Sequence, residues 1–295
     1  MTTMINNAGQ SRQSTPQTQQ LRAEQLRRWH QQPPILVLPN AWDAASARVF
    51  EQAGCLAVAT TSSGIAAAYG YPDGEYMSRD LMIEAVRRIV AAVACPVTAD
   101  IEAGYGDTVD AKLDTIRQVV TAGAVGINIE DSTTSGSDAP QLVDVAAQIA
   151  LIQAIRAAAT TEWGVPLVIN ARVDVYLHGA GDAADRFAEA VRRASAYREA
   201  GADCVFPIGL SDATTIAELV RAVDGPLNIL ASPQTPSIEE LARLGVARVS
   251  FGGGLARVAL GALRRAAHEI LEQGTFTNMA QDALPAPDFR RLFAD

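Results

Sequence analysis

The sequence predicts an α/β protein built as a single (β/α)8 barrel, the TIM-barrel architecture, over residues 21–295. Eight short apolar runs alternate with longer segments in which apolar residues recur at helical spacing. The runs are continuously apolar, which is typical of parallel strands that are buried on both faces. An open, doubly wound sheet is the alternative architecture, but no GxGxxG motif follows the first run and no linker divides the chain.

Strands and helices are predicted to alternate along the whole barrel. The predicted strands span, in order, residues 35–41, 56–62, 95–101, 125–131, 166–172, 203–209, 226–232 and 248–254. Residues 78–93 and 183–203 show clear helical periodicity between them. Ala-Gly pairs at 53–54, 122–123 and 200–201 come just before strands, where glycine supplies the left-handed residue that ends a helix. Eight such units are the number that closes a barrel.

Two terminal segments lie outside these repeating units. Residues 5–20 are rich in Gln, Ser, Thr and Asn, so residues 1–20 are predicted to form a disordered tail. A helix predicted from about residue 255 to 273 follows the last strand, and residues 274–293 still carry spaced apolar residues. This C-terminal helical extension is expected to pack on another surface, for which an oligomer partner is one candidate.

The composition argues against several classes of protein. A net charge of −9 disfavours nucleic-acid binding, which favours basic surfaces. Cys55, Cys95 and Cys204 lack CxxC spacing and lie in or beside apolar runs, which indicates reduced, buried thiols. No run reaches the roughly eighteen apolar residues of a membrane span, and residues 1–20 lack the apolar core of a signal peptide. The chain is therefore predicted to be soluble and cytoplasmic.

Polar side chains cluster at the carboxyl ends of the predicted strands, where barrel enzymes place their active sites. Asp100 and Glu102 end the third strand, Glu130 and Asp131 the fourth, and Arg172 the fifth. Asp131 could instead pair locally, and Arg172 could serve in a structural ion pair. Three or four carboxylates at one barrel mouth repel one another unless a cation or a shared proton compensates. Oxygen ligands alone favour Mg²⁺ or Mn²⁺.

Residues at the remaining strand ends could also serve either the site or the fold. Asp43 follows the first strand and could either face the site or cap the next helix. Residues 60–63 follow the second strand, Asn228 lies within the seventh, and Ser250 lies within the eighth.

Five motifs together resemble the isocitrate lyase/phosphoenolpyruvate mutase superfamily. In chain order they are LPNAWDAASARVFEQAG, TTSSGIAAAYGYPDG, ADIEAGYGD, GINIEDS and NARVDVYL. The similarity runs from about residue 34 to 265. The resemblance implies a (β/α)8 barrel whose final helix is swapped between subunits of a homotetramer, a dimer of dimers. It also implies chemistry through a Mg²⁺-bound enolate of a 2-oxo acid.

The resemblance assigns roles to individual residues. Asp100 matches the principal metal ligand, and Glu102 matches the neighbouring acidic position of the metal site. Asp73 falls where the superfamily keeps a carboxylate near the metal, and Glu130 matches a further carboxylate that supports the site. Arg172 matches the arginine that binds substrate oxygens and stabilises the enolate.

Two further assignments concern substrate binding and proton transfer. The SSGI motif places the backbone amides of Ser63, Gly64 and Ile65 around a substrate carboxylate, and Asn228 is assigned to substrate binding. A base for retro-aldol cleavage could be Asp73, a tyrosine such as Tyr105, or a metal-bound water.

One departure from the superfamily narrows the expected activity. Its isocitrate and methylisocitrate lyases carry KKCGH in a mobile loop after the fourth strand, with the cysteine as general acid. Residues 133–150 here contain no cysteine, lysine or histidine, so neither activity is expected. The phosphonate branches tend to carry a lysine-rich loop there, whereas Lys112 is the only lysine of this chain.

The sequence therefore predicts a Mg²⁺-dependent carbon–carbon lyase. Its substrate is a small 2-oxo or 2-hydroxy di- or tricarboxylate, cleaved through an enolate by oxaloacetate-type decarboxylation or cleavage or by a retro-aldol reaction. P–C bond chemistry on a phosphonopyruvate-like substrate is one alternative. A non-enzymatic barrel that binds a metabolite is the other.

Overall fold

Parallel strands close into a barrel in the computed structural model, which describes residues 15–133, 140–179 and 181–294. The strands are β1 Leu36–Leu38, β2 Asn40–Ala41, β3 Val58–Thr60, β4 Val97–Asp100, β5 Gly126–Ile129, β6 Ser132–Thr133, β7 Gln141–Leu142, β8 Val168–Val173, β9 Cys204–Pro207, β10 Asn228–Leu230 and β11 Arg248–Ser250. Neighbouring strands run β2-β3-β4-β5-β8-β9 and β1-β11-β10, while β6 and β7 form a separate antiparallel pair.

Two connections join these runs of strands into a ring. A parallel bridge between Val205 and Leu227 links β9 to the start of β10. On the other side, β1 continues into β2 across Pro39, so that the two short strands form one barrel strand. Every predicted strand is present, and the predicted (β/α)8 barrel is confirmed, whereas the open sheet is excluded.

Helices surround the barrel and cover its ends. They are α1 Pro16–Gln31, α2 Ala44–Gln52, α3 Ser62–Tyr69, α4 Arg79–Ala92, α5 Val109–Thr121, α6 Val145–Thr161, α7 Val175–His178, α8 Ala183–Glu199, α9 Ala213–Val223, α10 Ile238–Arg243, α11 Gly254–Gln273, α12 Thr277–Asp282 and α13 Ala286–Arg291. Asp43 caps α2, since its carboxylate accepts from the Ser46 amide at 2.7 Å while the Ser46 hydroxyl accepts from the Asp43 amide at 3.1 Å. Asp43 is therefore a helix cap.

The strand register places polar residues side by side inside the barrel. Asp100 of β4 pairs with Asn128 of β5, which pairs with Asn170 of β8. Paired residues of adjacent strands point to the same face, so these three side chains form a row. Apolar side chains from the other strand positions, such as Ile127 and Ile169, are fully buried in the core. The polar row therefore lies inside the barrel and leads toward its mouth.

The N-terminal helix corrects the predicted extent of the disordered tail. α1 begins at Pro16, so residues 16–20 are helical; of the predicted tail, residues 1–14 lie outside the described residues. The Gln19 side chain donates to the carbonyl oxygens of Val120 (2.7 Å) and Ala124 (3.0 Å), just before β5. Leu26 on the same helix is fully buried. The polar composition concealed this helix because its apolar face is narrow, and it closes the amino end of the barrel.

His30 near the end of α1 is a buried titratable group. Its side chain is 2% exposed, and its Nδ1 lies 2.8 Å from the Leu26 carbonyl oxygen. Burial, followed by the positive charge of Arg248, lowers the pKa of His30 from 6.5 to about 4. The folded protein therefore holds this ring neutral in a range where the unfolded chain protonates it.

This shift predicts a specific loss of stability in acid. A folded pKa below the unfolded value means that the contribution is complete above pH 6.5 and is lost as the pH falls toward 4. We expect His30 to account for a decrease of about 3 kcal/mol in the free energy of unfolding over that window. Urea unfolding of the parent and of His30→Asn at several pH values measures the difference. Identical pH dependence in the two proteins would contradict the assignment.

The C-terminal helices leave much of their apolar surface uncovered. In α11, Val258 and Leu263 are each 66% exposed and Leu271 is 85% exposed. Near the end of the described chain, Leu292 is buried and its carbonyl oxygen accepts from Arg48 Nε of α2 at 2.6 Å. Among the described residues, no helix is both long and apolar enough to cross a membrane.

Candidate active site

A cavity of about 210 Å³ opens at the carboxyl ends of the barrel strands. Four predicted site residues line it, namely Ser63, Asp73, Asp100 and Arg172. Further polar lining residues are Asn40, Thr60, Thr61, Ser62, Thr98, Asn128, Arg248 and Ser250. The other predicted residues do not line the cavity; these are Gly64, Ile65, Glu102, Tyr105, Glu130 and Asn228. The structure therefore divides the predicted site residues into those that line the cavity and those that lie behind its wall.

Asp100, the last residue of β4, is held rigidly at the cavity wall. Its Oδ1 accepts from Asn128 Nδ2 at 3.0 Å, and its Oδ2 accepts from the Ser62 amide at 3.0 Å. Asn128 is fixed in turn, because its Oδ1 accepts from Asn170 Nδ2 at 2.9 Å. Each carboxylate oxygen keeps a free lone pair. Asp100 is thus an oriented oxygen donor that faces the cavity.

Glu102 lies behind the cavity, where its two carboxylate oxygens already have partners. Oε2 accepts from the Glu75 amide at 2.7 Å, and Oε1 accepts from the Tyr105 hydroxyl at 2.6 Å. Glu75, Glu102 and Tyr105 all have left-handed backbone, with φ of 60°, 51° and 55°. Such backbone is strained for residues with a Cβ and turns these side chains toward one another. Both carboxylate oxygens of Glu102 are thus engaged within the protein, and its place in the metal site stays a prediction.

The contact between Glu102 and Tyr105 also changes the chemistry of both groups. Burial raises the pKa of Glu102 to about 7, a shift that the Tyr105 hydroxyl opposes and that the Asp100 and Asp73 carboxylates increase. Burial and the Glu102 carboxylate raise the pKa of Tyr105 well above its ordinary value. The Tyr105 phenol therefore keeps its proton and uses it in a hydrogen bond to the Glu102 carboxylate. A phenol in this state cannot accept a proton from a substrate. The geometry therefore contradicts Tyr105 as a base.

Arg172 of β8 is clamped between two carboxylates. Its Nε and Nη2 donate to Asp174 at 2.5 and 2.7 Å, and its Nη1 forms an ion pair with Glu130. Burial alone would lower the pKa of Arg172, but the Glu130 and Asp174 carboxylates outweigh it and raise the pKa. Three of the five guanidinium N–H groups are engaged in the described part of the chain, which leaves two for a ligand. Arg172 is thus both an ion-pair partner and a cavity residue.

Asp131 pairs locally, away from the cavity. Its Oδ2 accepts from the Tyr197 hydroxyl at 2.7 Å and from Arg193 Nη1 at 2.9 Å. Its Oδ1 accepts from the Asp174 amide at 2.8 Å. Asp131 therefore positions Asp174, which in turn holds Arg172.

Asp73 stands at the exposed rim of the cavity, on the loop that follows α3. Partial burial, and after it the nearby Asp100 carboxylate, raise the pKa of Asp73 above its ordinary value. The Ser62 side chain and Arg172 oppose this shift. Asp73 is therefore a carboxyl group at the cavity rim that holds a proton more readily than an isolated aspartate.

The amino end of α3 supports only part of the predicted amide cradle. The Ile65 amide donates to the Thr61 carbonyl at 3.0 Å, and the Gly64 amide lies 3.5 Å from Thr61 Oγ1. The Ser62 amide is used by Asp100. Within the described residues, the Ser63 amide is the one of this turn without an acceptor. The Ile65 amide already bonds back to the cap residue of α3, so the geometry does not favour its predicted contact with a substrate carboxylate.

The phosphoenolpyruvate phosphomutase family matches residues 26–271 of the chain. The chain belongs to this family. The predicted membership of the isocitrate lyase/PEP mutase superfamily, and with it the prediction of an enzyme, is confirmed. The phosphomutase-family match includes all of the barrel strands and every predicted site residue.

Similar proteins of the PEP mutase superfamily span most of the chain. A crystal structure from Burkholderia cenocepacia J2315 is 42% identical, with a TM-score of 0.86, over 95% of this chain and 98% of that chain. The 2-methylisocitrate lyase of Halalkalibacterium halodurans is 29% identical over 88% of this chain and 85% of its own. The structure of phosphonopyruvate hydrolase with oxalate and Mg²⁺ is 28% identical, with a TM-score of 0.79, over 92% and 94% of the two chains.

The donor set of this PEP mutase-family cavity suits an ion that needs few protein ligands. The described residues contain no group of three or more His, Cys, Asp or Glu side chains able to hold one metal ion. The predicted carboxylates do lie near one another, since the Asp100 charge adds to the effect of burial in raising the pKa values of Asp73, Glu102 and Glu130, but Glu102 and Glu130 also bond other partners. Asp100 remains as an oriented donor; burial raises the pKa values of Asp73 and Glu102 beside it, and the neighbouring carboxylate charges add to that rise. Mg²⁺ fits, because it keeps waters and takes oxygens from a substrate.

Sequence reasoning missed three residues of the site. Asn128 and Asp174 position Asp100 and Arg172, and each is a polar residue in or directly after a predicted strand. Arg248 lines the cavity although it lies in the eighth strand, within an otherwise apolar run. A charged residue inside a buried strand was the available signal for Arg248.

Proposed function

We propose that the chain is a Mg²⁺-dependent lyase that cleaves a small 2-oxo or 2-hydroxy di- or tricarboxylate through an enolate. The observation that carries this proposal is the placement of Asp100 and Arg172 on one small cavity, each fixed by neighbours that leave free bonding capacity toward it. A planar enolate with adjacent oxygens matches a carboxylate-held cation on one side and a guanidinium on the other.

Different side chains would bind the metal, bind the substrate and stabilise the enolate. Asp100 would hold Mg²⁺, which supplies a Lewis acid at the 2-oxo group when bound. Arg172 directs its two free N–H groups at the substrate oxygens, and the developing enolate charge strengthens these contacts. Glu130 and Asp174 keep Arg172 from rotating away. The Ser63 amide, at the start of α3, binds the carboxylate of the 2-oxo acid.

Proton transfer is assigned to Asp73. It lines the cavity, and its raised pKa favours a carboxyl group that holds a proton and can pass it to a ligand. A cysteine acid is not available in the cavity, because Cys55, Cys95 and Cys204 are absent from its lining, and Cys204 is completely buried. Residues 133–150, which correspond to the superfamily's KKCGH loop, include residues 134–139, which lie outside the described residues.

Two other functions remain candidates. The similarity to phosphonopyruvate hydrolase favours P–C bond chemistry, but Lys112 does not line the cavity to help bind a dianion. A barrel that binds a metabolite without turnover would need the same ligands. A screen of the Mg²⁺-loaded protein with 2-oxo, 2-hydroxy and phosphono acids separates the three. We expect Mg²⁺-dependent release of pyruvate, glyoxylate or oxalate; phosphate release indicates P–C cleavage, and binding without products indicates the metabolite binder.

We also propose that a second copy of the chain covers the C-terminal helices. Large apolar side chains remain exposed on all three of these helices, including Val258, Leu263 and Leu271 of α11, Met279 of α12 and Phe289 of α13. An apolar surface of this extent on a single subunit marks an interface. Helix exchange within a tetramer, as the resemblance implies, would bury it.

This proposal predicts the state of the protein in solution. Light scattering at micromolar concentration should give the mass of a tetramer. The double variant Val258→Asp/Leu263→Asp should dissociate, because burying two charges at an interface is costly. Leu56 lies between α2 and β3 and is 51% exposed, so Leu56→Asp is the matched control and should stay tetrameric. A parent protein that is a stable monomer would contradict the proposal.

A further inference from the structure

Arg248 is a second guanidinium in the cavity, separate from the clamped Arg172. It lies on β11, in register with Asn228 of β10 and Leu36 of β1, and its side chain lines the cavity. Only 2% of the residue is exposed. Arg248 is therefore enclosed inside the barrel, where arginine is rarely placed without a partner.

The guanidinium of Arg248 forms no ion pair within the described part of the chain. Its Nε and Nη1 are buried without any hydrogen-bond partner, and no carboxylate forms an ion pair with it. The other buried arginines differ, since Arg172 pairs with Glu130 and Asp174, and Arg193 pairs with Asp131. A buried cation with unmade hydrogen bonds is costly unless a further group satisfies it.

The charge of Arg248 persists at neutral pH. Burial lowers its pKa to about 10, against the opposing influence of Cys204 and Asp100. The group is therefore still protonated under physiological conditions. Its strand neighbours are polar, with Asn228 Nδ2 donating to Ser250 Oγ at 3.0 Å.

The position of Arg248 in the barrel separates it from the enolate end of the site. Asp100 and Arg172 belong to the third and fifth barrel strands, whereas Arg248 belongs to the eighth, across the ring. All three residues line the same small cavity. A single short molecule can therefore contact Asp100 and Arg172 at one end and Arg248 at the other.

We propose that Arg248 binds a second anionic group of the substrate, so that the cavity selects 2-oxo acids with an anion at the far end. This inference rests on the proposed function, which assigns the 2-oxo end to Asp100 and Arg172. Arg248 lines the cavity and has no ion-pair partner in the described part of the chain, so an anionic group of a ligand can supply its counter-charge. Arg248 would then set specificity without taking part in bond cleavage.

The test compares ligands that differ in charge at the far end. Calorimetry with Mg²⁺ present measures oxalate, 2-oxobutyrate, 3,3-difluorooxaloacetate and sulfopyruvate. The parent should bind at least one of the two dianionic 2-oxo acids roughly tenfold to a hundredfold more tightly than 2-oxobutyrate. Tighter binding of difluorooxaloacetate would indicate that Arg248 binds a carboxylate at the far end. Tighter binding of sulfopyruvate would indicate that it binds a tetrahedral anion.

Variants then connect this preference to Arg248. Arg248→Met should abolish the preference and leave oxalate binding within about threefold of the parent, whereas Arg248→Lys should retain part of the preference. Arg27→Met, which removes a partly buried arginine at the opposite end of the barrel, is the control and should keep it. Equal weakening of all ligands by Arg248→Met would overturn the proposal.

Two results separate this inference from the proposed function. A parent that binds oxalate with Mg²⁺ but shows no preference for a dianionic 2-oxo acid overturns the role of Arg248 alone, even if Arg248→Met does not fold. A parent that binds no oxalate overturns the proposed function, while a preference among the larger acids would still support Arg248.

Discussion

Asp100→Ala is expected to lose Mg²⁺-dependent ligand binding and to lower turnover by roughly a thousandfold or more, because a metal Lewis acid contributes several kcal/mol to such reactions. The fold should survive, since the residue is only partly buried and its loss releases two hydrogen bonds at a cavity wall. Differential scanning fluorimetry with Mg²⁺ and oxalate, together with a turnover assay, measures both effects.

The control for Asp100 comes from the same loop region. Asp107 is exposed and does not line the cavity, so Asp107→Ala should keep both the Mg²⁺-dependent thermal shift and turnover. Asp100→Asn keeps the shape but not the charge, and it should bind Mg²⁺ poorly. An Asp100→Ala protein that binds Mg²⁺ as tightly as the parent would show that another group holds the metal.

Replacing Arg172 should weaken oxalate binding by about 2–3 kcal/mol, roughly thirtyfold to a hundredfold, through the loss of a charge-assisted contact. Arg172→Ala should also destabilise the fold, because it leaves the Glu130 and Asp174 carboxylates buried without their partner. Arg172→Lys keeps the charge but not the planar fork, so it separates the two effects. Calorimetry on the folded protein measures the loss of oxalate affinity, and urea unfolding measures the loss in free energy of unfolding.

The outcome for Arg172→Lys decides between two roles of this residue. Weakened oxalate binding in a protein of near-parent stability indicates contact with the ligand. Parent-like oxalate binding by Arg172→Lys and Arg172→Ala alike would show that Arg172 acts only as the partner of Glu130 and Asp174.

The barrel could be predicted from the sequence because its signal is repeated. Each strand is a continuous apolar run between helical segments, and the carboxyl ends of parallel strands meet at one edge. Asp100 and Arg172 sit at the ends of regular strands, so their positions followed from strand assignment alone. The same reasoning could not place Glu102 and Tyr105, which follow the strand in left-handed turns that redirect their side chains.

The sequence prediction and the structure also differ at Arg248 and at the start of α1, for separate physical reasons. Arg248 was missed because a continuously apolar strand carries no periodicity that tells an inward position from an outward one, so its burial in the cavity depends on the register of the closed barrel. The start of α1 was missed because its residues are mostly polar. Its contacts, such as Gln19 with the carbonyls before β5, come from residues more than a hundred positions away in sequence.

The central claim is that one cavity binds the planar, charged end of a 2-oxo acid through Mg²⁺ and Arg172. Calorimetric titration of the parent protein with oxalate, with Mg²⁺ and again with EDTA, tests it most directly, because oxalate reproduces the planarity and adjacent oxygens of an enolate. We predict tight, stoichiometric binding with Mg²⁺, weaker binding of a tetrahedral 2-hydroxy acid of the same size, and no measurable oxalate binding in EDTA. Oxalate binding of equal strength with and without Mg²⁺, or no binding in either condition, would contradict the account.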